Sequence, residues 1–207
     1  MMNFELAREN MVKQQVLTEG LSLDGVAEIM ADIPREIFLP KEYQSLAYCD
    51  TNLVIDDREL RSPMFTARLI EALAMKKTDN ILKLGLETGY PVALIANLCN
   101  SVELVDYDEE RLATARRNLA KIDVYNVEFN SAEHLTNIIK NAKKYNCIYI
   151  SNVVEENEVD ESLLDLLEVG GRLVFVVRTD VCDKAYLITK TVKETHQKSF
   201  LFNVYNR

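Results

Sequence analysis

Apolar side chains in the first part of the chain recur at helical spacing. Over residues 1–47 this pattern predicts helices with breaks between them, the first capped by Asn3 and the second beginning at Ser22. Serine is a favoured N-cap and proline is favoured at the first helical position, so Ser62 and Pro63 predict the start of a third helix. This region is therefore expected to be mainly helical.

From Asn80 onward, short apolar runs alternate with amphipathic segments. Five of the runs are predicted strands: 81–85, 102–106, 124–129, 147–151 and 172–177. Helices are predicted between them, over 90–99, 108–122, 131–143 and 158–167. The last two runs, 185–192 and 199–205, are expected to form a terminal strand pair. Repeated alternation with short links predicts an α/β fold, a doubly wound Rossmann-like parallel sheet with helices on both faces.

Composition narrows the class of protein. The chain has 207 residues, 48% of them hydrophobic, and no repeat or linker, which predicts one folded domain over residues 1–207. A net charge of −9 argues against broad binding to nucleic acid or anionic lipid. The N-terminus lacks the apolar segment of a signal peptide, and no run approaches the ~20 apolar residues of a membrane span, so a cytoplasmic protein is expected.

Metal chemistry has little support in the sequence. The four cysteines are far apart and the chain has two histidines, so no zinc-binding spacing occurs and no metal site is predicted. The cysteines are interpreted as small buried hydrophobic residues.

A nucleotide-type site is predicted where the first strand of the alternating region ends. The strand runs into a turn bounded by Gly85 and Gly89, and the next strand ends in Asp106, about 20 residues after Gly85, where a ribose-binding carboxylate is expected. The spacing is G-x-x-x-G, which leaves both NAD and S-adenosylmethionine (AdoMet) open. The terminal strand pair favours AdoMet.

Several segments in matching order then carry a family resemblance. ARENMVKQQVLTEGL, ADIPREIFLPKEYQSLAYCD, SPMFTARLIEAL, ILKLGLETGYPVALIANL and LLDLLEVGGRLVFVV together resemble the protein-L-isoaspartate O-methyltransferase family, from residue 5 to about residue 178. The resemblance implies a class I methyltransferase that transfers the methyl group of AdoMet to the carboxyl of isoaspartyl residues in damaged proteins. It also implies a substrate-side helical extension over 1–78 and a cofactor-binding core over 79–207.

The resemblance assigns the AdoMet turn to Gly85, Leu86, Glu87 and Gly89. The family has an acid where this chain has Lys83, and a glycine where it has Glu87. Glu87 either lines the pocket, where its charge would oppose the AdoMet carboxylate unless Lys83 pairs with one of them, or turns outward to water.

Two further cofactor contacts follow from the resemblance. Asp106 corresponds to the family's ribose-binding acid. Glu133 corresponds to the acid of a Gly-Asp-Gly segment that contacts the adenine edge, although both glycines are replaced here. Glu133 is equally well explained as an acidic residue in the first turn of a helix.

The candidate catalytic residues are Ser62 and Arg61. The family has a serine or threonine two residues before the proline, where this chain has Arg61, and Ser62 lies one residue later. Ser62 is alternatively the helix cap proposed above. Arg61 is either a ligand for a substrate carboxylate or an exposed loop arginine.

Three functions remain open on the sequence. The leading one is isoaspartyl methylation with AdoMet. The others are a catalytically inactive family member that acts as a binding or scaffold protein, and methylation of a different carboxylate. The sequence does not determine the oligomeric state.

Overall fold

The computed structural model describes residues 2–21, 25–55, 58–155, 159–193 and 195–204. Within them the helices are α1 Phe4–Met11, α2 Val26–Asp32, α3 Pro63–Ala72, α4 Tyr90–Ala96, α5 Glu109–Ala120, α6 Glu133–Lys140 and α7 Glu161–Asp165. The strands are β1 Leu53–Ile55, β2 Arg58–Leu60, β3 Asn80–Leu84, β4 Ser101–Asp106, β5 Val127–Ser131, β6 Tyr145–Val154, β7 Leu167–Val177, β8 Asp183–Lys190 and β9 His196–Val204.

Seven strands form one sheet, in the order β5-β4-β3-β6-β7-β8-β9. The pairs from β5 to β7 are parallel, whereas β8 is antiparallel to both β7 and β9. This order confirms the doubly wound sheet and the terminal antiparallel pair. The order of strands reverses between β3 and β6, and ligands of open α/β sheets bind at such a point, beyond the carboxyl ends of the strands.

Successive side chains of β3 enter the two hydrophobic clusters on opposite sides of the sheet. Ile81 belongs to the cluster that includes side chains of α2 to α5, and Leu82 belongs to the cluster formed with α6 and α7. Because side chains alternate along a strand, Lys83 lies on the same side as Ile81, where its Nζ is 4.7 Å from the centroid of the Tyr149 ring. The fully buried Lys83 is thus a consequence of its register in β3.

The predicted helix caps in the N-terminal part are present where the structure describes them. Asn3 Oδ1 accepts a hydrogen bond from the Leu6 amide at 3.1 Å, and Ser62 Oγ accepts one from the Phe65 amide at 3.2 Å. Ser22 lies outside the described residues, and the predicted start of the second helix there is wrong, because α2 begins at Val26 with the non-helical Gly25 as its N-cap. A polar side chain at an N-cap satisfies one of the unpaired amides of the first turn, which is why both positions were predictable.

The mixed stretch between the second and third helices holds structure that the hydrophobic pattern did not predict. It contains two 3-10 segments, Arg35–Phe38 and Lys41–Leu46, and the antiparallel hairpin of β1 and β2. The hydrophobic cluster on the α2 to α5 side includes residues from both 1–78 and 79–207, and the functional division between these segments stays a prediction. None of the described helices has the length and apolar character needed to cross a membrane.

Candidate functional site

The turn between β3 and α4 requires glycine at both ends. Gly85 has φ 86° and Gly89 has φ 92°, in the left-handed region that side chains with a Cβ rarely adopt. A Cβ on Gly85 would lie 3.2 Å from Asn152 Oδ1, and one on Gly89 would lie 3.2 Å from the Ala115 Cβ. Conformation and crowding therefore both explain the two glycines assigned to the cofactor turn.

Lys83 and Glu87 form a buried ion pair beneath this turn. Lys83 Nζ donates to Glu87 Oε2 at 2.9 Å, to the Gly85 carbonyl at 2.8 Å and to Ser151 Oγ. The two side chains are 0% and 6% exposed. Glu87 is therefore not turned outward to water, and its charge is balanced by the lysine that replaces the family's acid.

Asp106 lies at the carboxyl end of β4, beside the turn, as predicted. Its Oδ2 accepts hydrogen bonds from the Leu86 amide at 2.6 Å and from Arg58 Nη1 at 3.0 Å. Its Oδ1 accepts from Arg58 Nη2 at 3.0 Å and from the Asp108 amide at 2.9 Å. The carboxylate is 1% exposed, and both of its oxygens already have two donors.

Arg58, in β2, reaches the same carboxylate from the hairpin. Its Nη1 also donates to the Leu86 carbonyl at 2.7 Å, and its guanidinium carbon lies 4.3 Å from the centroid of the Tyr107 ring. Burial by itself disfavours the charged guanidinium, but the hydrogen bonds and charge of Asp106 outweigh it and raise the pKa of Arg58. The arginine is thus held by an ion pair, a backbone carbonyl and an aromatic ring.

Glu133 is the first residue of α6 and is exposed. It follows Ser131, which is paired in register with Asp106 in the sheet, so the two acids lie at the same edge. This position suits an adenine contact and equally suits an acidic residue at the start of a helix. The adenine contact stays a prediction.

Arg61 and Ser62 are neighbours in sequence but line different cavities. Arg61 lines one of about 280 Å³, together with Arg58 and Glu87. Ser62 lines one of about 310 Å³, bordered by β9, and its hydroxyl caps α3. The cap interpretation of Ser62 is confirmed, and a catalytic role for its hydroxyl stays a prediction.

Arg61 is not an exposed loop arginine, because its side chain is 4% exposed. Its Nη1 lies 3.4 Å from Glu59 Oε2, and its guanidinium carbon lies 4.8 Å from the centroid of the Phe65 ring. That Nη1 has no hydrogen-bond partner among the residues that the structure describes. A buried donor in this state, beside a cavity, is suited to an anionic ligand.

Further buried polar atoms near the turn lack hydrogen-bond partners within the described part of the chain. They are Thr88 Oγ1, Tyr90 Oη, and Nε and Nη1 of Arg35. The Arg35 guanidinium donates from Nη2 to the Arg61 carbonyl at 2.8 Å, and burial lowers the pKa of Arg35 to about 10. Thr88 also borders a cavity of about 490 Å³ between the turn, Phe38 and α5.

AdoMet fits this site with one obstacle. Three features suit a nucleoside at the turn. They are the glycine conformations, the placement of Asp106, and the buried Thr88 hydroxyl, which has no hydrogen-bond partner among the residues described. A ribose diol bound as the resemblance implies, however, would need acceptor positions on Asp106 that Arg58 occupies. Ribose binding at Asp106, which stays a prediction, would therefore require the Arg58 side chain to leave the carboxylate.

Sequence reasoning missed Arg58 and Ser151 as members of this site. Arg58 bonds Asp106 across 48 positions of sequence, and Ser151 contacts Lys83 across 68. No local pattern marks such partners, because the fold alone brings them together. Thr88 was detectable as the one hydroxyl residue within the predicted turn.

A second group of titratable side chains lies on β4, β5 and α6. Glu103, Glu128 and His134 have ligand-type atoms within 4.8 Å of one another. Glu103 accepts hydrogen bonds from Lys143 and, at 2.6 Å, from Tyr145, so an ammonium group already neutralises it. Burial would raise the pKa of Glu103, but these hydrogen bonds outweigh it and lower the pKa.

A family model described as protein-L-isoaspartate(D-aspartate) O-methyltransferase (PCMT) matches residues 7–205. The protein-L-isoaspartate O-methyltransferase of Geobacter metallireducens is 28% identical over 190 residues, 91% of this chain and 87% of that relative. A solved protein-L-isoaspartate O-methyltransferase superposes with a TM-score of 0.79 at 25% identity, over 96% of this chain and 64% of that structure's length. A Plasmodium falciparum structure shares the fold, with a TM-score of 0.75 at 20% identity over 99% of this chain and 97% of its own. With its family match running over nearly its whole length, the chain belongs to the protein-L-isoaspartate O-methyltransferase family.

Proposed function

We propose that this chain methylates the carboxyl of isoaspartyl residues in damaged proteins, with AdoMet as the methyl donor. The observation that carries the proposal is the family match over residues 7–205, on a chain whose glycine turn and strand-end acid lie at the reversal point of the sheet. The acidic net charge and the described helices, none of which could cross a membrane, accord with a cytoplasmic enzyme acting on protein substrates.

The proposed division of labour follows the two segments of the chain. Residues 79–207 would hold the donor through the Gly85–Gly89 turn, Asp106 and Glu133. Residues 1–78 supply Arg58 and Arg61 to the adjoining cavity, which would be the substrate side of the site. When bound, AdoMet supplies a methyl group already activated on a sulfonium, so the protein's main task is orientation.

Arg61 is the proposed ligand for the substrate carboxylate. Its Nη1, buried and without a hydrogen-bond partner in the described residues, would donate to one carboxylate oxygen and leave the other free as the nucleophile. A carboxylate is ionised at neutral pH, so no general base is needed. Ser62 would act as a positioning residue, since its cap on α3 fixes the backbone beside Arg61.

A methylation assay tests this function. Radiolabelled AdoMet is incubated with an isoaspartyl peptide and with the same peptide containing ordinary aspartate, and label is expected only in the first. Label in neither peptide, or equally in both, contradicts the proposed substrate. Equal labelling would instead favour methylation of a different carboxylate.

Arg61→Ala is expected to raise the KM for the peptide roughly 10- to 100-fold, the loss expected for one charge-assisted hydrogen bond. Arg61→Lys keeps the positive charge, so its KM should lie between those of the wild type and Arg61→Ala. Arg68→Ala is the matched control, because Arg68 lines the other cavity, with its guanidinium 3.8 Å from the Phe202 ring centroid. An unchanged KM in Arg61→Ala, or an equal rise in Arg68→Ala, contradicts the assignment.

The inactive binding protein remains a second candidate because of two specific observations. Arg58 occupies the carboxylate expected to bind ribose, and a buried ion pair lies under the turn where the family has a glycine and an acid. Calorimetric titration with S-adenosylhomocysteine (AdoHcy), the demethylated product, separates the candidates. Binding in the micromolar range supports the enzyme, and no binding at millimolar ligand supports the binding protein.

A further inference from the structure

We propose that Arg58 sets the affinity of this protein for its cofactor by competing with the ribose for Asp106. The inference rests on the proposed function, because it assumes that a nucleoside binds at the Gly85–Gly89 turn. It assigns to a residue of the β1–β2 hairpin a role that family resemblance does not supply.

The first step of the argument is the saturation of Asp106. Its two oxygens accept four hydrogen bonds, and two come from backbone amides, those of Leu86 and Asp108, which belong to the fixed framework of the site. The other two come from the guanidinium of Arg58. A ribose diol offers two hydroxyl donors, so it can replace these two donors and no others without dismantling the turn.

The second step is the geometry of Arg58 itself. It is the first residue of β2 and pairs in register with Ile55, so its backbone is fixed by the hairpin. The side chain lines the cavity of about 280 Å³, and its Nη1 also donates to the Leu86 carbonyl. An arginine with several rotatable bonds on a fixed backbone can leave the carboxylate by rotamer change alone, into a cavity that it already borders.

The consequence is that competition from Arg58 lowers the apparent affinity for the cofactor. The conformation able to bind the cofactor is the one in which the guanidinium has left Asp106, and the observed Kd rises as that population falls. Removing the guanidinium removes the competitor and leaves Asp106 with two unused acceptor positions. The cofactor should then bind more tightly to a protein that has lost a stabilising ion pair.

The test uses the full chain and titrates AdoHcy calorimetrically into the wild type, Arg58→Gln and Arg58→Lys. Arg58→Gln is expected to tighten the Kd about 10- to 100-fold, where each tenfold step corresponds to about 1.4 kcal/mol. Arg58→Lys keeps a positive charge but not the bidentate contact with Asp106, so its Kd should lie between those of the wild type and Arg58→Gln. The control is Arg178→Ala, which removes a positive charge from the same cavity at an exposed position.

Two readouts besides affinity are expected to move. Without ligand, Arg58→Gln should lower the midpoint of thermal unfolding, because the ion pair with Asp106 is lost, while AdoHcy should raise that midpoint further than in the wild type. In the wild type, the guanidinium NMR signals of Arg58 should change from restricted to free rotation on addition of AdoHcy. The gain in AdoHcy affinity caused by Arg58→Gln should disappear when Asp106 is also replaced, in the double variant with Asp106→Asn.

The outcomes separate this inference from the function on which it rests. Wild-type binding with an equal or weaker Kd in Arg58→Gln overturns the role of Arg58 and leaves the proposed function standing. An equal gain in affinity in Arg178→Ala also overturns the role of Arg58, because the loss of any positive charge from the cavity would then explain the gain. No binding by any of the variants at millimolar AdoHcy overturns both.

Discussion

The buried pair of Lys83 and Glu87 gives the sharpest test of how this turn is held. The perturbation is a double-mutant cycle of Lys83→Met, Glu87→Leu and the combined variant, which replaces the charges by apolar side chains of similar size. Removal of one partner from a buried ion pair costs about 3–5 kcal/mol, because the other charge stays buried and uncompensated. Replacement of both is about neutral, or stabilising by about 1–4 kcal/mol.

The local contacts explain why the double variant should fold. When Lys83 is replaced, the Gly85 carbonyl still accepts a hydrogen bond from Ser151 Oγ, at 3.1 Å, so it is not left without a donor. When Glu87 alone is replaced, Lys83 keeps two neutral acceptors but loses its counter-charge. Each single variant is therefore expected to be less stable than the double variant.

Urea unfolding followed by circular dichroism gives the free energy of unfolding of all four proteins, with shared slopes as a check on two-state behaviour. The coupling energy should reach at least about 3 kcal/mol, against about 0.3–0.5 kcal/mol for the same cycle at Lys13 and Glu9. That control pair is also spaced i, i+4, but its side chains are 66% and 49% exposed. Additive single effects, or losses under about 1 kcal/mol, would refute the claim that these charges depend on each other.

Two further predictions concern the turn and the acid cluster of β4. Gly89→Ala should destabilise the protein by about 1–3 kcal/mol, because the new Cβ adds both backbone strain and close contact with Ala115. Gly170→Ala is the control, since Gly170 has φ 80° and an added Cβ would meet no atom within 4 Å, so only the strain is expected. Equal losses of stability in the two variants would contradict the contribution of crowding at Gly89. Burial would raise the pKa of Glu103, but its hydrogen bonds outweigh burial and lower that pKa in the folded protein. The ionised Glu103 should therefore contribute its full stabilisation above the ordinary pKa near 4.5, and this stabilisation should be lost as the pH falls through the lowered pKa of the folded state. The difference in unfolding free energy between wild type and Glu103→Gln should therefore shrink below pH 4.5. Glu168→Gln is the control, because Glu168 is exposed and lies outside this cluster. A difference that grows on acidification contradicts this sign.

The fold was largely predictable because its signals are local. Apolar runs of strand length alternate with amphipathic helices from Asn80 onward, and right-handed crossovers predict a doubly wound sheet. The order of the strands was not predicted and comes from the structure. The boundaries were less accurate. The helix predicted over 90–99 ends at Ala96, and the strand predicted over 172–177 begins at Leu167, because helix ends and strand extensions depend on tertiary partners more than on periodicity.

By itself, the sequence determined the sheet, the turn with its two glycines, the acid at the end of β4 and the caps at Asn3 and Ser62. The individual strands, the turn and the caps depend on residues near one another in the chain, and the acid is marked by its place at a strand end, so the spacing of residue types carries this information. Only the tertiary structure decided that Glu87 is buried against Lys83 and that Arg58 occupies Asp106. Whether a charge is paired depends on the distance and burial of its partner. The folded turn sets both for Lys83 and Glu87, which are four residues apart, and the packing of the hairpin against the sheet sets both for Arg58 and Asp106, which are 48 residues apart.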